Sequence, residues 1–316
     1  MPRIIALITR HPTSVVLLVC VLVSAAANNE FLTSANLYNL LRQIAPAGIV
    51  ALGMAIVIIA AGIDLSMGAM AALAGVIVLT IQSSAGSATG VALALAAGAG
   101  AGLANGLAVT SLRINPFIGS LATTMVLRGA SLTISNSQTI TGQDLWFGRL
   151  ADYAIFGVPV AAILFGAIFA ILYFITTSTP IGRALFAVGG STAASRAAGL
   201  KVDRILMLAY VTAGFLAAVA GVMISSQINS GSPIIGDRIP LFAIAAVLIG
   251  GVSMHGGAGS LLGVIQGVIV LAVIQNGMNL YGIGGQYQIT AIGLLLIITM
   301  MFDEFLVRQR RKASAL

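Results

Sequence analysis

The sequence predicts an all-α integral membrane protein, and its composition is the first reason. Of its 316 residues, 59% are hydrophobic and 7% are charged, and the mean hydropathy is +1.08. An average soluble domain carries about 25% charged residues. A soluble fold of this size could not cover its surface with so few charges. In lipid, an apolar helix of about 20 residues satisfies its own backbone and meets the acyl chains with its side chains.

Apolar runs bounded by Gly, Pro and charged residues are the second reason. They predict about ten transmembrane helices in one membrane domain that covers residues 1–316. The predicted spans are 13–28, 44–61, 66–82, 88–110, 117–136, 153–176, 205–226, 240–253, 259–280 and 287–303. The eighth span is short for a full crossing, and the fifth contains an arginine and many hydroxyl side chains.

The basic residues predict the orientation of these spans. The net charge is +7, with 15 Lys and Arg. With a cytoplasmic N-terminus and an even number of crossings, all of these lie on the inner side except Arg42, Arg128, Arg149 and Arg238. We therefore predict that both termini are cytoplasmic. Since topology explains the surplus of positive charge, we expect no nucleic-acid partner.

The N-terminal segment has two interpretations. Arg3 and Arg10 precede an apolar run, 15–27, that ends in small residues, as in a cleaved signal peptide. Because the rest of the chain is itself a series of spans, we favour an uncleaved first span. The pattern does not decide whether cleavage occurs.

The sequence offers no catalytic or metal site. Cys20 is the single cysteine, and His11 and His255 are the two histidines, which is too little for a disulfide or a metal centre. There is no G-x-x-x-x-G-K-[ST] phosphate loop and no H-E-x-x-H motif. We expect neither enzymatic activity nor a cofactor bound by this chain. If ATP powers transport, a separate protein must bind it.

Small residues and one carboxylate have predicted structural roles. Gly98, Gly102 and Gly106 form one helix face, on which small residues let helix backbones approach each other in lipid. Asp64 lies between two predicted spans, where a charge is costly unless it is paired, solvated or capping. We predict that Asp64 or Ser66 is the N-cap of the third span. A gating or proton-transfer role for Asp64 is the alternative.

Polar side chains within the spans or at their ends are candidates for lining a translocation path, because hydrocarbon penalises them and a wet cavity does not. The candidates are Thr123, Thr124, Arg128, Asn136, Gln227, Asn276 and Asn279. A lining dominated by neutral amides and hydroxyls suits a hydroxyl-rich neutral solute. It suits a proton-driven symporter poorly, since proton relays use acidic or histidine side chains within the membrane. Hydrogen bonding between helices is the alternative role for each residue.

Four stretches of the sequence match a known pattern. They read AAGIDLSMGAMAALAGV (60–76), GLANGLAVTSLRINPFIGSLATTMVLRGASL (102–132), TPIGRALFAVGGSTAASRAAGLKVDRI (179–205) and IPLFAIAAVLIGGVSMHGGAGSLLGVIQGVIVLAVIQNGMNL (239–280). In these stretches the chain resembles the permease subunits of ribose-type bacterial ABC importers, which carry monosaccharides. The resemblance implies an ABC importer permease fold in the bacterial inner membrane.

The resemblance also implies partners. These are cytoplasmic ABC ATPase subunits that use ATP and Mg, a periplasmic sugar-binding protein, and a second permease copy in a homodimer or heterodimer. The family's internal loop docks on the ATPase through short helices, and here it corresponds to about residues 177–204. This loop is also the longest internal connection in our topology, and it is basic and rich in small residues. The predicted ATPase-coupling residues are Gly190, Ala194, Arg196, Ala198, Gly199 and Arg204.

Two features are predicted at the external face. The connection 137–152 carries Trp146, which we interpret as an anchor at the membrane interface rather than a contact with a partner. Asp237 and Arg238 are adjacent charges, interpreted as a surface ion pair or as a contact with the binding protein.

We therefore expect a permease subunit that moves a ribose-type or related monosaccharide by alternating access. A stand-alone secondary transporter or channel for a small neutral polar solute is the main alternative. The missing catalytic set argues against an intramembrane enzyme. The exporter or lipid-linked branch of ABC permeases is a further alternative, which neighbouring genes for a cassette ATPase and a secreted binding protein would discriminate. The sequence does not identify the sugar.

Overall fold

The structure is a computed structural model that describes residues 12–151 and 153–313, with side chains described for 13–151 and 153–301. Arg3, Arg10 and His11 lie outside the described residues. The described helices are α1 (Pro12–Ala27), α2 (Ser34–Ile59), α3 (Met67–Thr110), α4 (Pro116–Ile134), α5 (Leu145–Leu150), α6 (Val160–Ser178), α7 (Pro180–Gly190), α8 (Thr192–Ala197), α9 (Val202–Ile228), α10 (Ile239–Ile249), α11 (Leu261–Leu280) and α12 (Gly285–Ala313). The strands are β1 (Ile140–Thr141), β2 (Ala154–Ile155), β3 (Val158–Pro159) and β4 (Ser230–Gly231).

The all-α prediction is confirmed at the level of helices. Six of the described helices, α2, α3, α4, α6, α9 and α11, are long and apolar enough to cross a membrane. Every predicted span has a helical counterpart. The spans 66–82 and 88–110 are the two halves of the 44-residue helix α3, which is interrupted at Gly86 (φ 82°, ψ 159°). The number of crossings and the cytoplasmic position of the termini stay predictions.

Two predicted span starts are wrong by more than five residues. Helix α2 begins at Ser34, ten residues before the predicted start at 44, because the Thr33 side chain caps it and the helix continues through Pro46. Helix α6 begins at Val160 rather than 153, because a short hairpin of β2 and β3 precedes it. Phe156 and Gly157 turn this hairpin with positive φ angles of 51° and 79°.

The centre of the protein is formed by α2, which packs against α9, α10, α11 and α6. In its most apolar window 83% of the residues are buried, against 17% in the corresponding windows of α4 and α6. A helix that is apolar all round is stable either in a protein core or in lipid. Helix α2 is surrounded by protein, whereas α4 and α6 keep large apolar faces available.

Helix α9 lies between the two halves of α3, and glycines make the contact close. On the second half, a methyl group added to Gly98 would lie 2.6 Å from the carbonyl oxygen of Gly214. One added to Gly102 would lie 2.8 Å from the Cα of Val211, and one added to Gly106 would lie 3.2 Å from the Cα of Met207. On the first half, Gly221 of α9 lies against the backbone of Ala71. The predicted small-residue face therefore faces α9.

Replacing Gly102 with alanine is expected to destabilise the protein by about 1–3 kcal/mol, because the methyl group must displace the backbone of α9. Gly100 is a matched control on the same helix, since a methyl group there would have nothing within 4 Å. Gly100→Ala should be neutral or slightly stabilising through helix propensity. Thermal unfolding in detergent measures both. Equal melting temperatures for the two variants would contradict the close contact.

Candidate translocation path and coupling surface

A buried polar cluster lies where the chain passes from α2 to α3. Asp64 is fully buried there. Its Oδ1 accepts hydrogen bonds from the backbone N–H of Ser66 (2.9 Å), the hydroxyl of Ser66 (2.6 Å) and the side-chain amide of Asn105 (3.1 Å). Its Oδ2 has no hydrogen-bond partner among the described residues. The predicted side-chain cap of α3 is not seen. Ser66 occupies the N-cap position without a capping side-chain hydrogen bond, and the backbone N–H that Asp64 accepts is that of Ser66, which precedes the helix.

This cluster joins separate helices. The amide of Asn105, in the second half of α3, also donates to the hydroxyl of Ser66 at 2.9 Å. The hydroxyl of Thr123, on α4, donates to the carbonyl oxygen of the Asn105 side chain at 2.6 Å. Buried polar groups of this kind are costly to leave unpaired. The Asp64 cluster (Asp64, Ser66, Asn105 and Thr123) therefore fixes α4 and both halves of α3 relative to the end of α2.

The other path candidates on α4 lie beyond Thr123. The Thr124 hydroxyl donates to the backbone carbonyl of Ser120 at 2.8 Å and is half-buried. Arg128 follows one helical turn after Thr124, so the two share a face. Asn136 lies just after the end of α4, exposed and with a left-handed φ of 50°. Helix α4 thus carries three of the seven candidates and is followed by a fourth.

The remaining candidates make contacts between elements. The Gln227 side chain donates to the carbonyl of Arg42 at 2.9 Å, and Arg42 donates back to the carbonyl of Gln227 at 3.0 Å. Asn276 is buried and exchanges two hydrogen bonds with Asn36, of 3.0 and 2.8 Å. The Asn279 side chain accepts from Gln288 at 2.6 Å. These contacts are hydrogen bonds between helices, which is the alternative role for each of these residues. They do not bring Gln227, Asn276 and Asn279 close to α4.

Arg128 has a partner that sequence reasoning missed. Its Nη2 lies 3.1 Å from Oδ2 of Asp237, and the two side chains are 45% and 47% exposed. The expected pair of Asp237 with its neighbour Arg238 is wrong, because the segment that carries Asp237 folds inward along α3, where Gly236 contacts Gly68. A charge within a predicted span requires a counter-charge. The chain has only eight Asp and Glu, so few carboxylates could pair with Arg128. The need for a counter-charge was therefore the sequence signal that could have indicated this partner.

A cavity of about 190 Å³ opens beside Asp237, between α10, α11 and α12. Its polar lining comes from Asp237, Arg238, Gln275 and Gln288. A methyl group on Gly285 would lie 3.5 Å from the Arg238 guanidinium, so the Arg238 side chain lies near the start of α12. Polar side chains therefore collect around the beginning of α10.

The segment predicted to couple to an ATPase forms two short helices, α7 and α8. The Thr179 side chain caps α7, and the Ser191 side chain caps α8 by accepting from the amide of Ala194 at 3.2 Å. Gly199 then turns the chain with a φ of +80°. All six predicted coupling residues are exposed: Gly190, Ala194, Arg196, Ala198, Gly199 and Arg204.

Two contacts hold the predicted coupling surface, which consists of α7, α8 and the turn at Gly199, against the rest of the chain. Arg196 makes a two-fold interaction with Asp203 in the first turn of α9, at 2.6 and 3.3 Å. At the end of α7, Gly189 lies directly against the carbonyl of Ile59, the last residue of α2, and that carbonyl also accepts from the amide of Gly257 at 2.8 Å. The end of α7 is therefore in backbone contact with α2 and with the connection between α10 and α11.

Asp64→Ala is expected to cost about 1–3 kcal/mol of stability, because it leaves the donors of Ser66 and Asn105 without their buried acceptor. Asp64→Asn keeps an oxygen acceptor and should lie closer to the unaltered protein. Thermal unfolding in detergent, together with transport, compares them. An Asp64→Asn protein that folds normally but transports nothing would contradict the structural role and favour a proton role.

Comparisons with known proteins agree with this architecture. Residues 36–302 match the family model described as branched-chain amino acid transport system / permease component. The chain is 39% identical over 290 residues to the ribose import permease protein RbsC of Bacillus subtilis (strain 168), covering 91% of this chain and 90% of that protein. It is 33% identical to RbsC of Escherichia coli (strain K12), covering 92% of each chain. It is also 33% identical to the L-arabinose transport system permease protein AraH of Escherichia coli (strain K12), covering 89% of this chain and 86% of that protein. No solved structure matches the chain significantly.

The matched region extends from the first turn of α2 into α12 and contains the Asp64 cluster, the ion pair of Arg128 and the coupling surface. The predicted resemblance to ribose-type permeases is confirmed. The chain therefore belongs to this family of transport-system permease components, which are transporter subunits rather than enzymes.

Proposed function

We propose that this chain is the membrane-spanning subunit of an ABC importer that carries a monosaccharide across the bacterial inner membrane. The observation that supports this most is the exposed coupling surface of α7 and α8, which contacts the ends of the buried helices. A transporter that works alone has no need of such a surface. Relatives named for ribose and arabinose cover nearly the whole chain, which supports a sugar as the solute.

The ATP is bound and hydrolysed, with Mg, by separate cytoplasmic ABC subunits. These subunits contact α8 and the turn at Gly199. Their closure moves α7, and the backbone contacts of Gly189 and Gly257 with Ile59 carry the displacement into α2. Helices as closely packed as α3 and α9 move as one body, so the displacement produces alternating access instead of local deformation.

Two further partners complete the importer. A periplasmic sugar-binding protein delivers the solute at the outer face, and a second permease copy, identical or different, forms the other wall of the path. Helix α4 is suited to face that path, because its apolar window is only 17% buried and it carries Thr124 and Arg128. Hydroxyl and guanidinium groups are hydrogen-bond partners for sugar hydroxyls.

Reconstitution tests the import function. Liposomes that contain this chain, its ATPase and its binding protein should take up ribose or a related sugar only with ATP. Omitting the ATPase is the control and should abolish uptake. Uptake driven by an ion gradient without the ATPase would favour the stand-alone carrier. Uptake of a branched-chain amino acid in place of sugar would contradict the proposed substrate class, and ligand binding by the periplasmic protein provides an independent measurement.

Arg196→Glu is expected to reduce ATPase assembly and uptake at least severalfold. The substitution replaces the ion pair with Asp203 by a repulsion between two carboxylates, which releases α8 from the start of α9. The exposed pair is worth under about 1 kcal/mol, so thermal stability should change little. Lys201→Glu makes the same charge change in the same segment but leaves the Arg196–Asp203 ion pair intact, so it serves as the matched control. Co-purification of the ATPase and uptake are the measurements. Equal effects of the two substitutions would show that net charge, not the position of α8, matters.

A further inference from the structure

The segment between α9 and α10 returns into the helix bundle. Gly231, in β4, lies against the backbone of Gly75, whereas Gly236 lies against Gly68 near the start of α3. Between these two contacts the segment travels about 10 Å along α3, at 1.5 Å per helical residue. Helix α9 ends at Ile228, beside the external connection at Phe147, whose carbonyl accepts from Ser226 at 2.6 Å. The chain thus leaves α9 at one face and re-enters before α10 begins.

Helix α10 has the length of half a crossing. It contains 11 residues, about 16 Å at 1.5 Å per residue, against a hydrocarbon core of about 30 Å. It leads to the connection whose Gly257 contacts the end of α2. The non-helical segment 229–238 and α10 therefore make one crossing together, and Asp237 lies where they join, near the middle of the membrane.

An irregular backbone and two half-exposed charges at this depth require water. Non-helical backbone within the membrane is tolerated only where protein buries it or where it lines a water-filled cavity. Arg128 and Asp237 are 45% and 47% exposed, and a charge facing hydrocarbon is expensive. The face that carries the ion pair is therefore the wall of the aqueous path rather than a lipid-facing surface.

The pair joins helices that otherwise belong to different groups. Helix α4 packs mainly against α3, and α10 packs mainly against α2, α11 and α12. A half-exposed ion pair is weak, because water competes for both partners. It is therefore suited to a contact that forms and breaks in each cycle. Sugar hydroxyls can accept from the guanidinium and donate to the carboxylate, so a solute can replace the contact without leaving either charge unpaired.

We propose that the contact between Arg128 and Asp237, in the wall of the translocation path near its midpoint, acts as a gate: the two side chains are paired in this structure and must separate when the sugar passes. The gate rests on the proposed import function. Arg128 and Asp237 bind the sugar hydroxyls only while separated. Arg238, next in the chain, borders the adjacent cavity and is not part of the gate.

Cross-linking tests whether the contact must break. In a Cys20→Ser background, which leaves no other cysteine, Arg128→Cys and Asp237→Cys are joined with a short thiol-cleavable bifunctional reagent. Uptake by the complete transporter should fall at least tenfold on cross-linking and return on reduction. The yield of cross-linking should also decrease when the ATPase is trapped in its ATP-bound state. Uptake that continues at the same rate in the cross-linked protein would overturn the gate.

A charge exchange covers the case in which the cysteine protein is inactive before cross-linking. Arg128→Asp and Asp237→Arg should each reduce uptake at least tenfold, and the double exchange should restore a large part of it. Arg238→Asp is the control and should have the smaller effect. Failure of the double exchange to exceed either single variant would contradict the gate.

The two proposals fail in different ways. If the unaltered transporter moves no sugar, the proposed import function is wrong. If it moves sugar and cross-linking has no effect on uptake, only the gate is wrong.

Discussion

The close backbone contact between α3 and α9 is the constraint on which the rest of the structure depends. In lipid, helices gain little from burying apolar side chains, so their association requires close packing. Gly98 and Gly102 on one half of α3 and Gly221 on α9 remove the side chains that would separate the backbones. Because both halves of α3 hold α9, these helices form a block to which α2 and α4 attach.

Polar side chains connect both ends of α2 to neighbouring helices. Near its beginning, Asn36 bonds to Asn276 of α11 and Arg42 exchanges bonds with Gln227 of α9. Beyond its end, the Asp64 cluster reaches the second half of α3 and α4. In a medium without water, such bonds have few competitors. Among the pore candidates, Thr123, Gln227, Asn276 and Asn279 therefore bond to other elements, whereas Arg128 and Asn136 are exposed.

The segment proposed to contact the ATPase, α7 and α8, is connected through the end of α2 to the segment that carries the ion pair. Gly189 at the end of α7 meets Ile59 at the end of α2, and Ile59 also binds the amide of Gly257. From Gly257 the chain leads back through α10 to Asp237. A displacement applied to α7 and α8 thus has a continuous route through packed backbone to the segment that carries the ion pair with Arg128.

The sequence by itself determined the membrane class, the positions of the apolar helices, and the small-residue face at Gly98, Gly102 and Gly106. These follow from local composition, spacing and motif, which a single stretch of chain contains. The extended start of α2 was not predictable in this way, because a local cap at Thr33 and a tolerated Pro46 override the apparent break.

Only the tertiary structure decided which polar groups meet. The Asp64 cluster joins residues up to 59 positions apart in sequence, and Asp237 pairs with Arg128 because Gly236 packs against Gly68. Which polar side chains become hydrogen-bond or ion-pair partners depends on where the backbone folds inward. The hydropathy of the sequence carries no information about where that happens.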